Sequence, residues 1–161
     1  MKEIRKIMVA VDLSEYSRHI LEYAGFLAQS TKSEFVIFNV INHRDIETLQ
    51  EAASETDRFS VNAWKEKQKE EWLESTQRVI EDAGLNALSI KTVFREGLPF
   101  RELIKAIEEE NVDLVVMGVK DRSDVSGTLV GSTAEKMFQR CPVPILNLRS
   151  PERSRTLADR R

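Results

Sequence analysis

Short apolar runs alternate with longer amphipathic segments along this chain. Four of the runs are rich in β-branched or aliphatic residues and are bounded by polar ones: 7–11, 35–41, 114–117 and 145–148. Such runs are typical of strands that are buried on both faces of a parallel sheet. A fifth segment, 89–94, alternates between polar and apolar positions, which favours a strand at a sheet edge.

The segments between these runs predict helices. Ser14 follows the first strand as a natural N-cap residue, and apolar residues then recur at helical spacing through position 28. Pro99 suits the first position of a helix that contains Leu103 and Ile107. A shorter helix is predicted over 133–140, before the last strand.

The long polar segment 43–84 lacks Pro and has no Gly before Gly84. Its second half carries one helical stripe, and its first part, 43–58, fits either a loop or a loose helix. The stripe consists of Trp64, Trp72, Leu73, Thr76, Val79 and Ile80. Because they fall on this stripe, Trp64 and Trp72 are expected to be core residues, and the charged run 65–71 is expected to form a solvated helix face.

Strands that alternate with helices imply a parallel sheet with helices on both faces. We therefore expect a single α/β domain over residues 1–149. Residues 150–161 contain four Arg and few apolar residues, and we expect them to form a disordered tail.

Composition and charge exclude several classes of protein. With 24 basic and 27 acidic residues the formal net charge is −3, which disfavours nonspecific nucleic-acid binding. One Cys and two His rule out a disulfide framework and a Cys-cluster zinc site, and leave little for a His-based metal site. We find no apolar run that would span a bilayer and no secretory segment, so the cytoplasm is the expected location.

The segment 118–133 carries the most informative chemistry. Gly118 ends a strand, and Gly131, Ser132 and Thr133 open a helix whose free N–H groups form an anion site. Lys120 would supply positive charge, so the segment fits a phosphate cradle at the carboxyl edge of the sheet. The same residues fit equally well with a purely structural role, in which they only end a strand and begin a helix.

Asp12 ends the first strand, where it either caps the following helix or contacts a ligand. Ser17, His19 and Asp12 have the residue types of a hydrolytic triad. Their spacing does not support one, so His19 is expected to be a solvated helix residue. Cys141 is expected to be a half-buried small residue before the last strand.

These segments together resemble the universal stress protein family over about residues 4–149. The resemblance rests on five stretches in the family's order: 7–15, 39–41, 93–99, 113–118 and 141–145. It implies a three-layer, adenine nucleotide alpha hydrolase-like fold with five parallel strands in the order 3-2-1-4-5. It also implies a homodimer, which the apolar edge strand 143–148 would form by pairing antiparallel with a second copy.

Many members of the family bind ATP through a Gly-x2-Gly-x9-Gly-Ser/Thr motif. Gly118 and Gly131-Ser132 match its first and last parts, but Asp121 replaces the second glycine and Asp124 stands where a further glycine is common. A carboxylate in this loop would repel phosphates by an amount on the order of 1–4 kcal/mol. A divalent cation such as Mg²⁺, placed between the carboxylate and the phosphates, would reverse that effect.

The resemblance also implies where the nucleotide lies. Adenosine would contact the ends of the first two strands, and the phosphates would follow the loop into the helix. The residues implied are Ala10, Val11, Asp12, Val40 and Met117 for adenosine, Gly118 and Lys120 for the ribose and α-phosphate, and Gly131, Ser132 and Thr133 for the outer phosphates.

Three functions follow from these observations. The first is a regulator of the stress response that binds ATP, ADP or AMP, and the matched glycines favour it. The second is a dimeric interaction module of the same fold that has lost ATP binding, which Asp121 and Asp124 favour. The third is an enzyme, but we find no general base aimed at water or an acceptor, so any hydrolysis is expected to be slow.

Overall fold

Five strands alternate with helices in the computed structural model, which describes residues 3–12, 14–54, 60–118 and 132–149. The strands are β1 (Lys6–Ala10), β2 (Glu34–Asn42), β3 (Ile90–Gly97), β4 (Leu114–Gly118) and β5 (Ile145–Leu148). The helices are α1 (Glu15–Thr31), α2 (His43–Ala53), α3 (Val61–Asp82), α4 (Pro99–Glu110) and α5 (Ser132–Arg140). The predicted tail, 150–161, lies outside the described residues.

The strands form one parallel sheet in the order β3-β2-β1-β4-β5, which confirms the predicted order and the edge position of the third strand. Helices cover both faces. α1 and α3 pack on one face, where Ile7, Val9 and Trp72 are buried, and α4 and α5 pack on the other around Met8 and Met137. Alternate residues of β1 thus face opposite layers, as the period of a strand requires.

In the segment between β2 and β3, the structure decides one alternative that the sequence left open and corrects one expectation. Its first part contains a regular helix, α2, whose start is fixed by the Asn42 side chain accepting a hydrogen bond from the Arg44 N–H at 3.1 Å. Leu73 was expected on the apolar stripe of α3 but is 37% exposed, and Trp64 was expected in the core but is only half-buried. The buried stripe follows positions 72, 76, 79 and 80, and Leu73 lies about 100° around the helix from Trp72.

Unequal strand lengths shape the carboxyl edge of the sheet. β1 and β4 each have five residues, whereas β2 has nine. Ala10 is in register with Phe38 of β2 on one side and with Met117 of β4 on the other, so β2, still paired with β3, continues beyond the ends of β1 and β4 as far as Asn42. The edge therefore has a step, with β2 as its wall and the ends of β1 and β4 as its floor.

Gly118 allows α1 to pack against the end of β4. A Cβ atom at this position would lie well under 3.0 Å from the Ile20 side chain and 2.5 Å from Tyr16 Cε1. The Tyr16 hydroxyl also donates a hydrogen bond to the Leu148 carbonyl at the end of β5. The glycine thus has a packing role that is independent of any ligand. None of the helices in the described ranges is long and apolar enough to span a membrane.

We predict that Gly118→Ala lowers the free energy of unfolding by about 1–3 kcal/mol, because the added methyl group overpacks the contact with Ile20. Urea denaturation measures the change. Shortening the partner by Ile20→Val removes the nearest atom, Ile20 Cδ1. The double variant should therefore lose less stability than the sum of the single variants, and strict additivity would contradict this packing role.

Candidate functional site

A cleft of about 200 Å³ lies in the step at the carboxyl edge of the sheet. Residues from the ends of β1, β2 and β4 and the starts of α1, α4 and α5 line it, and most of the lining is apolar. The lining residues are Ala10, Val11, Asp12, Ser14, Tyr16, Ser17, Ile20, Phe38, Asn39, Val40, Pro99, Leu103, Met117, Gly118 and Thr133. Ligands of open α/β sheets bind in this kind of crevice, where the strand order reverses.

Seven of the ten residues singled out from the sequence line this one cleft. They are Ala10, Val11, Asp12, Val40, Met117, Gly118 and Thr133. Lys120 and Gly131 lie outside the described residues, as do Asp121 and Asp124. Ser132 begins α5, but its side chain is not described.

Sequence reasoning missed the α1 and α4 side of the cleft, namely Tyr16, Ile20, Pro99 and Leu103. The last three had been assigned only to helix positions. The helical spacing of Tyr16 and Ile20, four residues apart, places them on the same face of α1. The sequence contains no signal that this face meets Gly118.

The backbone of Val40, a lining residue of the cleft, is oriented toward the end of β1. The Val11 N–H donates to the Phe38 carbonyl at 3.0 Å, so the peptide groups of Phe38 point toward β1. Along a strand of a parallel sheet, the peptide groups of successive residues point to opposite sides. The N–H and carbonyl of Val40, two residues after Phe38, therefore point to the same side as those of Phe38, but beyond the end of β1. One donor and one acceptor therefore stand side by side at the wall of the cleft.

Asp12 is held at the rim of the cleft by a small hydrogen-bond network. Its Oδ1 accepts from the Ser14 N–H at 2.8 Å and from the Ser17 hydroxyl at 2.6 Å. The Asp12 N–H in turn donates to Ser17 Oγ at 3.0 Å, and Ser17 is only 7% exposed. This network fixes the turn from β1 into α1; Ser14 is the N-cap residue, and Asp12 accepts from its N–H rather than from an N–H of the first helical turn.

His19 and Cys141 do not form a nucleophilic site. His19 stacks against Tyr16 with the ring centroids 6.4 Å apart, and the hydroxyl of Ser17 points to Asp12 instead. Burial raises the pKa of the Cys141 thiol, which disfavours its thiolate form. Across the described residues, no three His, Cys, Asp or Glu side chains come together in the way a metal site requires.

Comparison with known proteins places this geometry in one family. The family model of the universal stress proteins matches residues 3–149. A curated relative, the universal stress protein MJ0577 of Methanocaldococcus jannaschii, is 24% identical over 154 residues, covering 88% of this chain and 93% of its own length.

Solved structures share the fold over nearly the whole chain. UspA from Lactobacillus plantarum is 15% identical and superposes with a TM-score of 0.71, covering 92% of this chain and all of its own. A universal stress protein in complex with cAMP is 18% identical with a TM-score of 0.64, covering 92% and 98%. One from Archaeoglobus fulgidus in complex with dAMP is 13% identical with a TM-score of 0.62, covering 91% and 98%.

The sheet order, the helices on both faces and the match over residues 3–149 agree with one another. The fold is the adenine nucleotide alpha hydrolase-like arrangement of that family. This chain belongs to the universal stress protein family.

Proposed function

We propose that this protein binds an adenine nucleotide and acts as a nucleotide-dependent regulator of the stress response. The observation that carries the proposal is the apolar cleft in the step of the sheet, which gathers the residues that the family resemblance assigns to adenosine. The solved relatives that hold cAMP and dAMP support the same class of ligand.

The chemistry of the cleft suits an adenine ring. A planar base gains from apolar contact on its faces, which Ala10, Met117 and Leu103 offer. Its edge needs one donor and one acceptor, because adenine carries ring-nitrogen acceptors beside an amino donor. The N–H and carbonyl of Val40 supply that pair without any polar side chain.

The carboxylate of Asp12 suits hydrogen bonding to the ribose. A carboxylate accepts hydrogen bonds only, and ribose offers hydroxyl donors. The hydrogen bonds from Ser14 and Ser17 hold the Asp12 carboxylate in one orientation, so little rotamer entropy remains to be lost when a ligand binds. The phosphates then run toward the loop after β4, where the resemblance places Lys120, Gly131, Ser132 and Thr133.

The same cleft offers little for catalysis. Among the described lining residues, Asp12 carries the only carboxylate. That carboxylate already accepts the hydrogen bonds that hold the start of α1 in place. A bound nucleotide therefore acts as a signal that changes conformation or partner choice. Slow hydrolysis is the most that we propose.

We predict that AMP binds to the purified protein and that Ala10→Leu weakens this binding at least tenfold, because the larger side chain fills the floor of the cleft. Isothermal titration measures both affinities. Ala63→Leu makes the same chemical change at an exposed position of α3 and serves as the matched control. Equal affinities for the wild type and Ala10→Leu would place the nucleotide elsewhere, and no binding of any nucleotide would leave the interaction module as the better description.

We also predict that AMP or ADP binds more tightly than ATP, because fewer phosphate charges then meet Asp121. Asp121→Gly should raise the affinity for ATP above that of the wild type, because it removes that charge and supplies the second glycine of the motif. Competition among the three nucleotides, with and without Mg²⁺, tests the order. ATP as clearly the tightest ligand of the wild type would refute it.

The two edges of the sheet differ in their capacity to pair with a second copy. β3 carries Lys91, Arg95 and Glu96, whose ion pairs reach Glu110, Glu109 and Lys65. Charged side chains of this kind discourage pairing at an edge. β5 has the composition Ile-Leu-Asn-Leu, and its outer edge is without a strand neighbour in the described sheet. We propose that a homodimer forms there, by antiparallel pairing of two β5 strands.

We predict a dimeric mass by light scattering at micromolar concentration, and a monomeric mass for Asn147→Pro. The Val115 N–H donates to the Pro144 carbonyl, so alternation turns the N–H groups of Ile145 and Asn147 away from β4. Proline at 147 therefore removes an outward donor and leaves the pairing with β4 intact. Asn147→Ala keeps that donor and should remain dimeric; a monomeric wild type, or a dimeric proline variant, would contradict the interface.

A further inference from the structure

A second, basic pocket of about 190 Å³ lies beside the cleft. Residues from the N-terminal parts of α2, α4 and α5 and the turns before α2 and α4 line it: Asn42, Arg44, Leu98, Pro99, Phe100, Arg101, Thr133 and Lys136. Three of these eight residues are cationic and none is acidic, although the chain as a whole has a net charge of −3. We name it the basic pocket.

The three cations are available to a ligand. Arg44, Arg101 and Lys136 have exposed side chains, and within the described part of the chain none of them forms an ion pair. Other basic residues nearby are already engaged, as Arg95 is with Glu102 and Glu109. Three like charges that converge on one cavity repel one another, and an anion bound between them removes that repulsion.

The basic pocket continues from the cleft, because Pro99 and Thr133 line both. Thr133 lies in the first turn of α5, directly after the loop that the proposed function assigns to the phosphates. A ligand whose base lies between Val40 and Met117 can therefore place an anionic group in the basic pocket without crossing a helix.

We infer that the basic pocket binds the α-phosphate of the nucleotide whose adenosine occupies the cleft, so that only the outer phosphates of ADP and ATP run on to the loop after β4. Arg44, Arg101 and Lys136 are then the residues that favour nucleotides over nucleosides. This inference rests on the proposed function. It also supplies what the loop lacks: Asp121 and Asp124 offset the positive charge of Lys120 and Arg122, whereas the three cations of the basic pocket form no ion pair with any residue that the structure describes. Guanidinium groups match phosphate oxygens in charge and in geometry.

The test compares two double variants that change the same helices by the same charge. Arg101→Gln/Lys136→Gln removes two cations of the basic pocket. Lys105→Gln/Arg140→Gln removes one cation from α4 and one from α5, four residues further along each helix and outside the lining of the pocket. Because the net charge is the same in both, long-range attraction of anions falls equally, and only local contacts differ.

Isothermal titration with AMP and with adenosine separates the possible results. We expect the Arg101/Lys136 variant to raise the Kd for AMP about tenfold relative to the Lys105/Arg140 variant, with the Kd for adenosine within twofold in both. Arg44→Gln should weaken AMP binding in the same direction. The Arg44 side chain is exposed, and urea denaturation checks that the variant is as stable as the wild type.

Three results would overturn the inference. Equal AMP affinities for the two double variants would show that the phosphate does not reach the basic pocket, while leaving adenosine binding and the proposed function in place. Inorganic phosphate that binds wild type as tightly as AMP does would make the pocket a site for free phosphate. Wild type that binds neither adenosine nor AMP would remove the proposed function itself, and the inference with it.

Discussion

The hydrogen bond from the Val11 N–H to the Phe38 carbonyl is the last one between β1 and β2, and the site depends on where it lies. Beyond it the chain turns away into α1, while β2 continues to Asn42 beside β3. In this overhang, the backbone groups of Val40 that point toward β1 lie beyond the last residue of that strand. Backbone groups of this kind recognise a ligand without any polar side chain, so an apolar cleft can still be specific.

The turn out of β1 is as constrained as the strand itself. Asp12 and Ser17 exchange hydrogen bonds in both directions, and the Ser14 N–H completes the network. This arrangement sets the direction of α1, and α1 in turn places Tyr16 and Ile20 against Gly118. One short polar turn therefore couples the ends of β1, β4 and β5, since the Tyr16 hydroxyl reaches the carbonyl of Leu148.

Charged side chains are distributed unevenly over the two edges of the sheet and the basic pocket. Along β3, a hydrogen bond from Arg95 holds the pKa of Glu109 below its usual value, and the neighbouring ion pairs satisfy the charged groups locally. Around the basic pocket, the described cations have no such acidic partners, and β5 carries no charge at all. The same chain thus combines an edge protected from pairing, an apolar edge and a cavity suited to an anion.

The hydrophobic pattern by itself determined the number of strands, their parallel arrangement and the edge position of β3. A strand that is buried on both faces is apolar throughout, whereas a strand that is buried on one face alternates between polar and apolar residues. The family motifs added the strand order and seven of the fifteen residues that line the cleft. The pattern could not decide that 43–53 is helical or that Leu73 faces solvent, since several helical stripes fit the same apolar residues of this segment.

Only the tertiary structure decided how the site is assembled. The sequence marked Gly118 as a place for a ligand or the end of a strand, but its neighbours come from α1, about 100 positions earlier, and they give it a packing role. Likewise Arg44, Arg101 and Lys136 are ordinary surface cations in the sequence and converge only because three helices begin at one edge of the sheet. Local pattern determines secondary structure through short-range periodicity, whereas a binding surface depends on contacts between residues far apart in the chain.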